Sequence, residues 1–355
     1  MKKIALAAYA AMTLAGAGVG ATLSAEAQSA KAEKITGTVE SHVAASKAAA
    51  RTQFSSLQQR VCESAIPPSP AARASAGQVP AARAGGAGGG GRQSGPPPAA
   101  RWHAEPAKVF DNLYFVGMTE YSAWALTTSQ GIIVIDTIFD YSVEDEVVNG
   151  LKKLGLNPAD IKYALVSHAH TDHIGGARYL QEHFGAHVVM SKEDWDFADR
   201  TVPERIRPKR DIEAKDGDTL TLGDTTIALH LTPGHTPGTI SSIYQVKDRG
   251  QTHTVATWGG TTIQGGKPET YLAYIGSADR YREIVKRSGA DVVLSNHTAY
   301  DNTPANIAKL AMRKPSDSNP YVVGHDAVLR YITAAEECAK AGYLAVTKVA
   351  GQSSR

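Results

Sequence analysis

Seven residues constrain this chain more than any other stretch. Ser167-His168-Ala169-His170-Thr171-Asp172-His173 follows the β-rich run Tyr163–Val166. It places three imidazoles and a carboxylate within six positions. Borderline nitrogen donors with one hard oxygen form the set a divalent metal prefers. On a loop leaving a strand, such side chains splay toward two metal positions instead of crowding one. With only 12 His in 355 residues, the cluster is not a by-product of composition.

Two more segments deliver a histidine from the end of an apolar strand. Thr232-Pro233-Gly234-His235-Thr236-Pro237-Gly238 holds His235 in a stiff Pro/Gly loop, and the run Asp291–Asn296 leads directly into His297. The remaining histidines, His42, His103, His183, His187, His230, His253 and His325, lack ligand-like neighbours.

The rest of the chain divides by composition. Lys2 and Lys3, an apolar run from Ile4 to Leu23 and an Ala-x-Ala ending at Ala27 read as a secretory signal peptide over residues 1–27. The run is rich in Ala and Gly, so no stable membrane span is expected after processing, and export to the periplasm or medium follows. In residues 28–64, Val39, Val43, Phe54, Leu57 and Val61 recur at helical spacing. They predict one amphipathic helix over about residues 38–63, able either to dock on the body or to recruit a protein partner. Residues 65–104 read as a disordered linker, because from Ala65 to Ala100 there are 15 Gly or Pro, three Arg and no acid.

From residue 105 to about 345 strands alternate with helices, in two halves of similar make-up. Strands are expected at 113–116, 123–126, 132–135, 163–166, 187–190, 219–222, 226–231, 241–245 and 253–257. Ser142-Val-Glu-Asp145 reads as a capping box opening a helix through Leu154. Later helices are expected at 278–287, 304–312 and 326–341. Two sheets face to face with helices outside satisfy this pattern.

Charge narrows the function classes. Residues 1–100 carry 10 basic and 4 acidic side chains and the remainder 27 and 31, a near balance that gives no support for nucleic-acid binding. Two cysteines make neither a disulfide framework nor an all-thiolate zinc site. In an oxidising compartment Cys62 and Cys338 are available to pair, stapling the N-terminal helix to the C-terminal one.

With these residues in hand, the chain resembles the metallo-β-lactamase fold superfamily over roughly residues 109–300. The resemblance implies an α+β fold, an αβ/βα four-layer sandwich with a dizinc site at the sheet edge. Carried over by position, it implies that His168, His170 and His235 bind one Zn2+ and that Asp172, His173 and His297 bind a second. Asp136, ending the run Ile132–Ile135, looks like the family's aspartate that anchors a zinc-bound ring. Many hydrolases of this fold bridge their metals with an aspartate, but the corresponding stretch here, Val255-Ala-Thr-Trp-Gly-Gly-Thr261, holds no acid. No cysteine lies there either. The remaining pattern is similar to class B, subclass 3 β-lactamases. That similarity implies a small-molecule substrate, a zinc-supplied hydroxide attacking a lactam carbonyl, and Asp172 orienting it as the catalytic carboxylate. It also implies that Thr261 and Thr262 offer hydroxyls to the substrate. A dizinc esterase or lactonase, and a non-catalytic metal-binding docking module, are the alternatives. Trp258, Tyr271 and Tyr274 are candidates to line the cleft. Asn296-His297-Thr298-Ala299-Tyr300 departs from the His-Pro turn common in lactamases.

Overall fold

A computed structural model describes residues 35–68, 96–263 and 266–353. The expected signal peptide and most of the expected linker lie outside the described residues. Between them the chain forms helices α1 (Val39–Ala50) and α2 (Ser55–Ala65). Residues 96–104, expected as linker, are placed: Trp102 is buried and its indole N–H donates to the Pro97 carbonyl at 2.9 Å.

The first half builds a seven-stranded sheet in the order β1 (Ala107–Phe110), β2 (Leu113–Phe115), β3 (Trp124–Thr128), β4 (Gly131–Ile135), β5 (Ile161–Leu165), β6 (His187–Ser191), β7 (Ile212–Ala214). Its first four strands are antiparallel neighbours and the others run parallel through helical crossovers. Those crossovers carry α3 (Asn149–Lys153), α4 (Thr171–Ile174), α5 (Ala177–Phe184) and α6 (Lys192–Thr201). The second half adds β8 (Thr219–Leu222), β9 (Thr225–Leu231), β10 (Ile240–Asp248), β11 (Gln251–Trp258) and β12 (Val292–Ser295), with helices α7 (Pro268–Ser288), α8 (Thr303–Ala311) and α9 (His325–Ser353). These strands make a five-stranded sheet in the order β12-β11-β10-β9-β8.

Alternation along the strands fixes the layers, because successive side chains leave opposite faces of a sheet. In β4, Ile133 and Ile135 join Leu229, Tyr244 and Val255 in the core between the sheets. Ile132 and Val134 face the other way, onto Val147, Leu151, Leu180 and Trp195 of the outer helical layer. In β11 the same rule sends Val255 inward, and Ala256 and Trp258 outward onto α7 and α9. The result is a helix–sheet–sheet–helix sandwich. Ligand loops from both sheets meet at one edge of it.

Three local expectations are corrected. The N-terminal helix is broken in two at Arg51, whose φ of 52° is left-handed. The break lets Phe54 insert edge-on against Tyr331 at 5.2 Å while both helices lie along α9. Ser46 donates to the Ala334 carbonyl at 2.7 Å, and Cys62 and Cys338 form a disulfide. The Ser142 capping box is absent: its hydroxyl is buried against Met118 Sδ and the Phe139 carbonyl, and the segment begins as a π-helical turn, Glu144–Val148. Helix α7 starts ten residues before expectation, at Pro268, a good first helical residue because its missing N–H has no partner to lose. Among the described residues no helix is long and apolar enough to cross a membrane.

Candidate metal centre

Four of the six candidate donors leave one loop. It runs from the end of β5 into α4, where His170 is the N-cap and Asp172 and His173 occupy the first turn. Packing fixes this turn from below: both the backbone N–H and the hydroxyl of Thr137 donate to the His173 carbonyl, at 2.8 and 2.7 Å. His235 arrives from the loop between β9 and β10. Gly234 there adopts φ 135°, and any Cβ would strike the Tyr274 backbone of α7. That close approach is why glycine precedes the histidine. His297 follows β12, and a single antiparallel bridge joins it to Tyr121.

The side chains form two triads. His168, His170 and His235 point one nitrogen each at a common point, as do Asp172, His173 and His297 with nitrogen or carboxylate oxygen. In the first triad His235 Nε2 lies 3.0 Å from both His168 Nε2 and His170 Nδ1. Hydrogen bonds on the far side of the rings decide what those nitrogens carry. His168 Nδ1–H donates to the Gly259 carbonyl at 2.8 Å, and His235 Nδ1–H to the Thr262 carbonyl at 2.6 Å. Each proton is therefore spent away from the centre, leaving bare lone pairs facing each other. Burial first, and then the neighbouring imidazoles, hold both pKa values well below the ordinary histidine value, so no added proton bridges them. Lone pairs at this distance repel unless a cation sits between them. A tetrahedral cation with metal–nitrogen bonds of about 2.0–2.1 Å sets its ligand nitrogens about 3.3 Å apart. The first triad fits that demand.

The second triad is balanced differently. His173 Nε2 stands 3.3 Å from both His297 Nε2 and Asp172 Oδ2, and its Nδ1–H donates to Asp136 Oδ2 at 3.0 Å. Burial opposes charge on His173, but Asp172 and Asp136 overturn that and lift its pKa to about 10. Burial works against ionised Asp172 too; His173 beside it prevails and holds it below the usual carboxylate range. His297 is pushed down to about 3, by burial and then by His173. A proton can hold this triad alone, so cation binding here displaces it and favours higher pH.

Asp136 is the hub beneath. Its backbone is left-handed at φ 58°, which turns the carboxylate into the loop. It accepts Ser167 N–H at 2.7 Å, Ser167 O–H at 2.9 Å and His173 Nδ1–H. Such outer partners commonly govern metal affinity by about 10- to 100-fold. Asp136→Asn is expected to weaken zinc affinity by about that factor, read by competition with a chromophoric chelator; unchanged affinity would remove this role from Asp136.

The sequence did not single out Asp194 or Asn296. Asp194 of α6 is fully buried and accepts Ala169 N–H at 2.8 Å, Thr236 O–H at 2.8 Å and Gly238 N–H at 2.7 Å. It ties the His168 loop to the His235 loop, at the cost of a pKa that burial raises to about 6. Its local pattern gave only a helix start, since Ser191 caps its N–H. Asn296 donates to the Gly259 carbonyl at 2.7 Å, the acceptor shared with His168.

Thr261 is 1% exposed and its hydroxyl lies 3.2 Å from Ser295 Oγ, so it faces no cleft. Thr262 acts through its backbone carbonyl on His235. Trp258, Tyr271 and Tyr274 are buried in the outer layer, where Trp258 N–H donates to the Tyr274 hydroxyl and Tyr271 to the Ala65 carbonyl. Other aromatics border the centre. Tyr121 lies 5.1 Å from the His297 ring and edge-on to Phe139 at 5.0 Å, Phe139 stacks on Tyr141, and Phe197 stands 5.9 Å from His170. Six of the other histidines have structural partners, His42 with Glu337, His103 with Glu146, His187 with Asp211, His253 with Asp291, and His183 and His325 with backbone carbonyls.

Comparison with known proteins agrees with this geometry. A family model described as "Metallo-beta-lactamase superfamily" matches residues 117–249. The hydroxyacylglutathione hydrolase GloC of Haemophilus influenzae is 29% identical over 170 residues, 44% of this chain and 76% of that protein. The probable metallo-hydrolase YqgX of Bacillus subtilis is 30% identical over 177 residues, 45% of this chain and 78% of that one. Among solved structures, BJP-1, a subclass B3 metallo-β-lactamase of Bradyrhizobium japonicum, superposes with a TM-score of 0.57 at 29% identity, covering 71% of this chain and 96% of that chain.

Proposed function

Because the chain belongs to the metallo-β-lactamase superfamily, whose members are metal-dependent hydrolases, we propose that it is an exported zinc hydrolase of the subclass 3 β-lactamase type, opening a cyclic amide. His168, His170 and His235 would hold one zinc, and Asp172, His173 and His297 a second. Residues 1–27 would direct it across a membrane and be removed.

One observation carries the subclass: among the described residues no carboxylate joins the two triads. The loop after β11 meets their rings through the carbonyls of Gly259 and Thr262. A Cβ at Gly260 would come within 2.4 Å of His235 Cβ, so this loop offers no side chain there. Bound zinc supplies Lewis acidity and brings the pKa of water to about 7.

The chain does the rest. Asp172 stays ionised and is oriented by His173, so its carboxylate can accept a hydrogen bond from the attacking water and hold it in line. Asp136 and Asp194 lock the loops, so little reorganisation accompanies reaction. Tyr121, Phe139 and Phe197 give the cleft apolar walls that exclude bulk water from the carbonyl.

An ester or thioester hydrolase on the same scaffold is the second reading, favoured by the likeness to the H. influenzae hydroxyacylglutathione hydrolase. Nitrocefin, a γ-lactone and a thioester, each assayed with and without dipicolinate, separate the two. The expected result is zinc-restorable nitrocefin opening, with kcat/KM at least about tenfold above either ester, a gap of about 1.4 kcal/mol. The reverse order selects the ester reading, and inertness of zinc-loaded protein toward all three refutes both.

A further inference from the structure

Aromatic rings stay partly open to solvent beside the metal centre. Of the six phenylalanines, Phe54, Phe110 and Phe115 are buried, while Phe139, Phe184 and Phe197 are only partly so. Two of those three border the donors. Phe197 lies 5.9 Å from the His170 ring, and Phe139 stands edge-on at 5.0 Å to Tyr121, itself 5.1 Å from the His297 ring. Single exposed apolar side chains are ordinary, whereas a contiguous group of them marks a contact surface. Tyr121, Phe139 and Tyr141 are contiguous, with Phe139 stacked on Tyr141 at 5.1 Å, and none of the three is fully covered. A further ring against His297, that of Tyr300 at 5.3 Å, is buried, so the accessible aromatic surface lies on the Tyr121 side.

This surface is held stiffly. Buried Trp102 packs against Tyr141 at 5.8 Å. Thr119 N–H donates to the Trp102 carbonyl at 2.9 Å, and the Thr119 carbonyl accepts the Thr298 hydroxyl at 2.6 Å. Ser122 N–H donates to the Asn296 carbonyl at 2.9 Å. Residues 119–122 are thereby stitched to residues 296 and 298, on either side of His297, and the spacing of rings to donor is set before anything binds. A preformed surface spares a ligand the cost of ordering it. Aromatic rings prefer edge-on or offset partners with centroids about 4.5–7 Å apart, so three rings already at that spacing offer a place to a fourth.

We propose that Tyr121 and Phe139 seat an aryl group of the substrate on the His297 side of the metal centre, so that the substrate class is an amide or ester with an aromatic ring next to the bond cleaved. For turnover the proposal rests on the hydrolase reading; the seat itself is read by binding alone.

The test uses the zinc-loaded full chain and the variants Tyr121→Leu, Phe139→Leu and Tyr121→Phe, with Phe184→Leu at the C-terminal end of α5 as control. Calorimetry compares 2-phenylethanethiol with 2-cyclohexylethanethiol, which share a thiol head and differ in ring character. Wild type is expected to bind the phenyl thiol about three- to tenfold more tightly, the scale of one aromatic pair. Tyr121→Leu and Phe139→Leu should each cut that ratio at least about twofold, while Tyr121→Phe, which keeps its ring, and Phe184→Leu should preserve it. A 7-phenylacetyl cephalosporin should exceed its 7-cyclohexylacetyl analogue in kcat/KM by a similar ratio, lost in the same two variants. A phenyl preference in binding that those variants lose, in a protein that opens neither cephalosporin, would sink the lactam reading and leave the seat standing. Equal binding or no binding of the two thiols by wild type, or a preference unchanged in both leucine variants, would overturn the seat.

Discussion

Replacing His235 by alanine is expected to remove zinc and hydrolysis together, lowering kcat/KM at least about 10³-fold, or about 4 kcal/mol in transition-state stabilisation. His235 Nε2 is the donor in contact with both other nitrogens of the first triad. Without it, two imidazoles remain to share a cation that needs at least three protein donors in a catalytic site. The Thr262 carbonyl loses its partner as well. Elemental analysis beside a hydrolysis assay reads both losses, and circular dichroism confirms that the sheets persist. A folded variant that is metal-free and fully active would end the proposal.

The disulfide supplies the second large effect. Cys62 and Cys338 are 276 residues apart, with Cα atoms separated by 4.7 Å. Cross-linking so long a loop restricts the unfolded chain strongly, and removing such a link typically costs about 2–5 kcal/mol. The double variant Cys62→Ser, Cys338→Ser is therefore expected to melt about 4–10 °C lower, at about 2 °C per kcal/mol for a domain of this size. Its N-terminal helices should also become the first segment to exchange amide hydrogens. The helices keep other anchors, including Phe54 against Tyr331 and the His42–Glu337 pair at 2.6 Å. An unaltered melting temperature with native exchange would show that those contacts suffice.

The two-sheet sandwich and the metal donors were legible because each rests on a short-range rule, whereas the grouping of the donors into two sets came from the family resemblance. Short β-rich runs gave the strands, and the histidine cluster with two strand-end histidines gave the donors. What was illegible depends on contacts distant in sequence. Asp194 reads locally as the third residue of a capped helix, yet its carboxylate serves loops 25 to 44 residues away. Tyr271 and Tyr274 look like cleft residues until α7 is extended back to Pro268, which turns both rings into the outer layer. Thr261 was assigned from resemblance alone, and the packing of Ser295 against it decides otherwise. The N-terminal helix was broken where a left-handed arginine, which no periodicity signals, let Phe54 drop into a gap.

The six donors straddle the seam between the sheets, four from one side and two from the other. Spacing across that seam is set deep inside, where Trp124 of β3 meets Tyr321 edge-on at 6.1 Å. Interiors are close-packed and carry displacement rather than absorb it. A misplacement of about 1 Å in a reacting group can cost about 10²-fold in rate. Aromatic girth at Trp124 therefore works as a shim between two halves of a vice, and the proposed hydrolysis is open to tuning by substitutions that touch neither the metal donors nor the substrate.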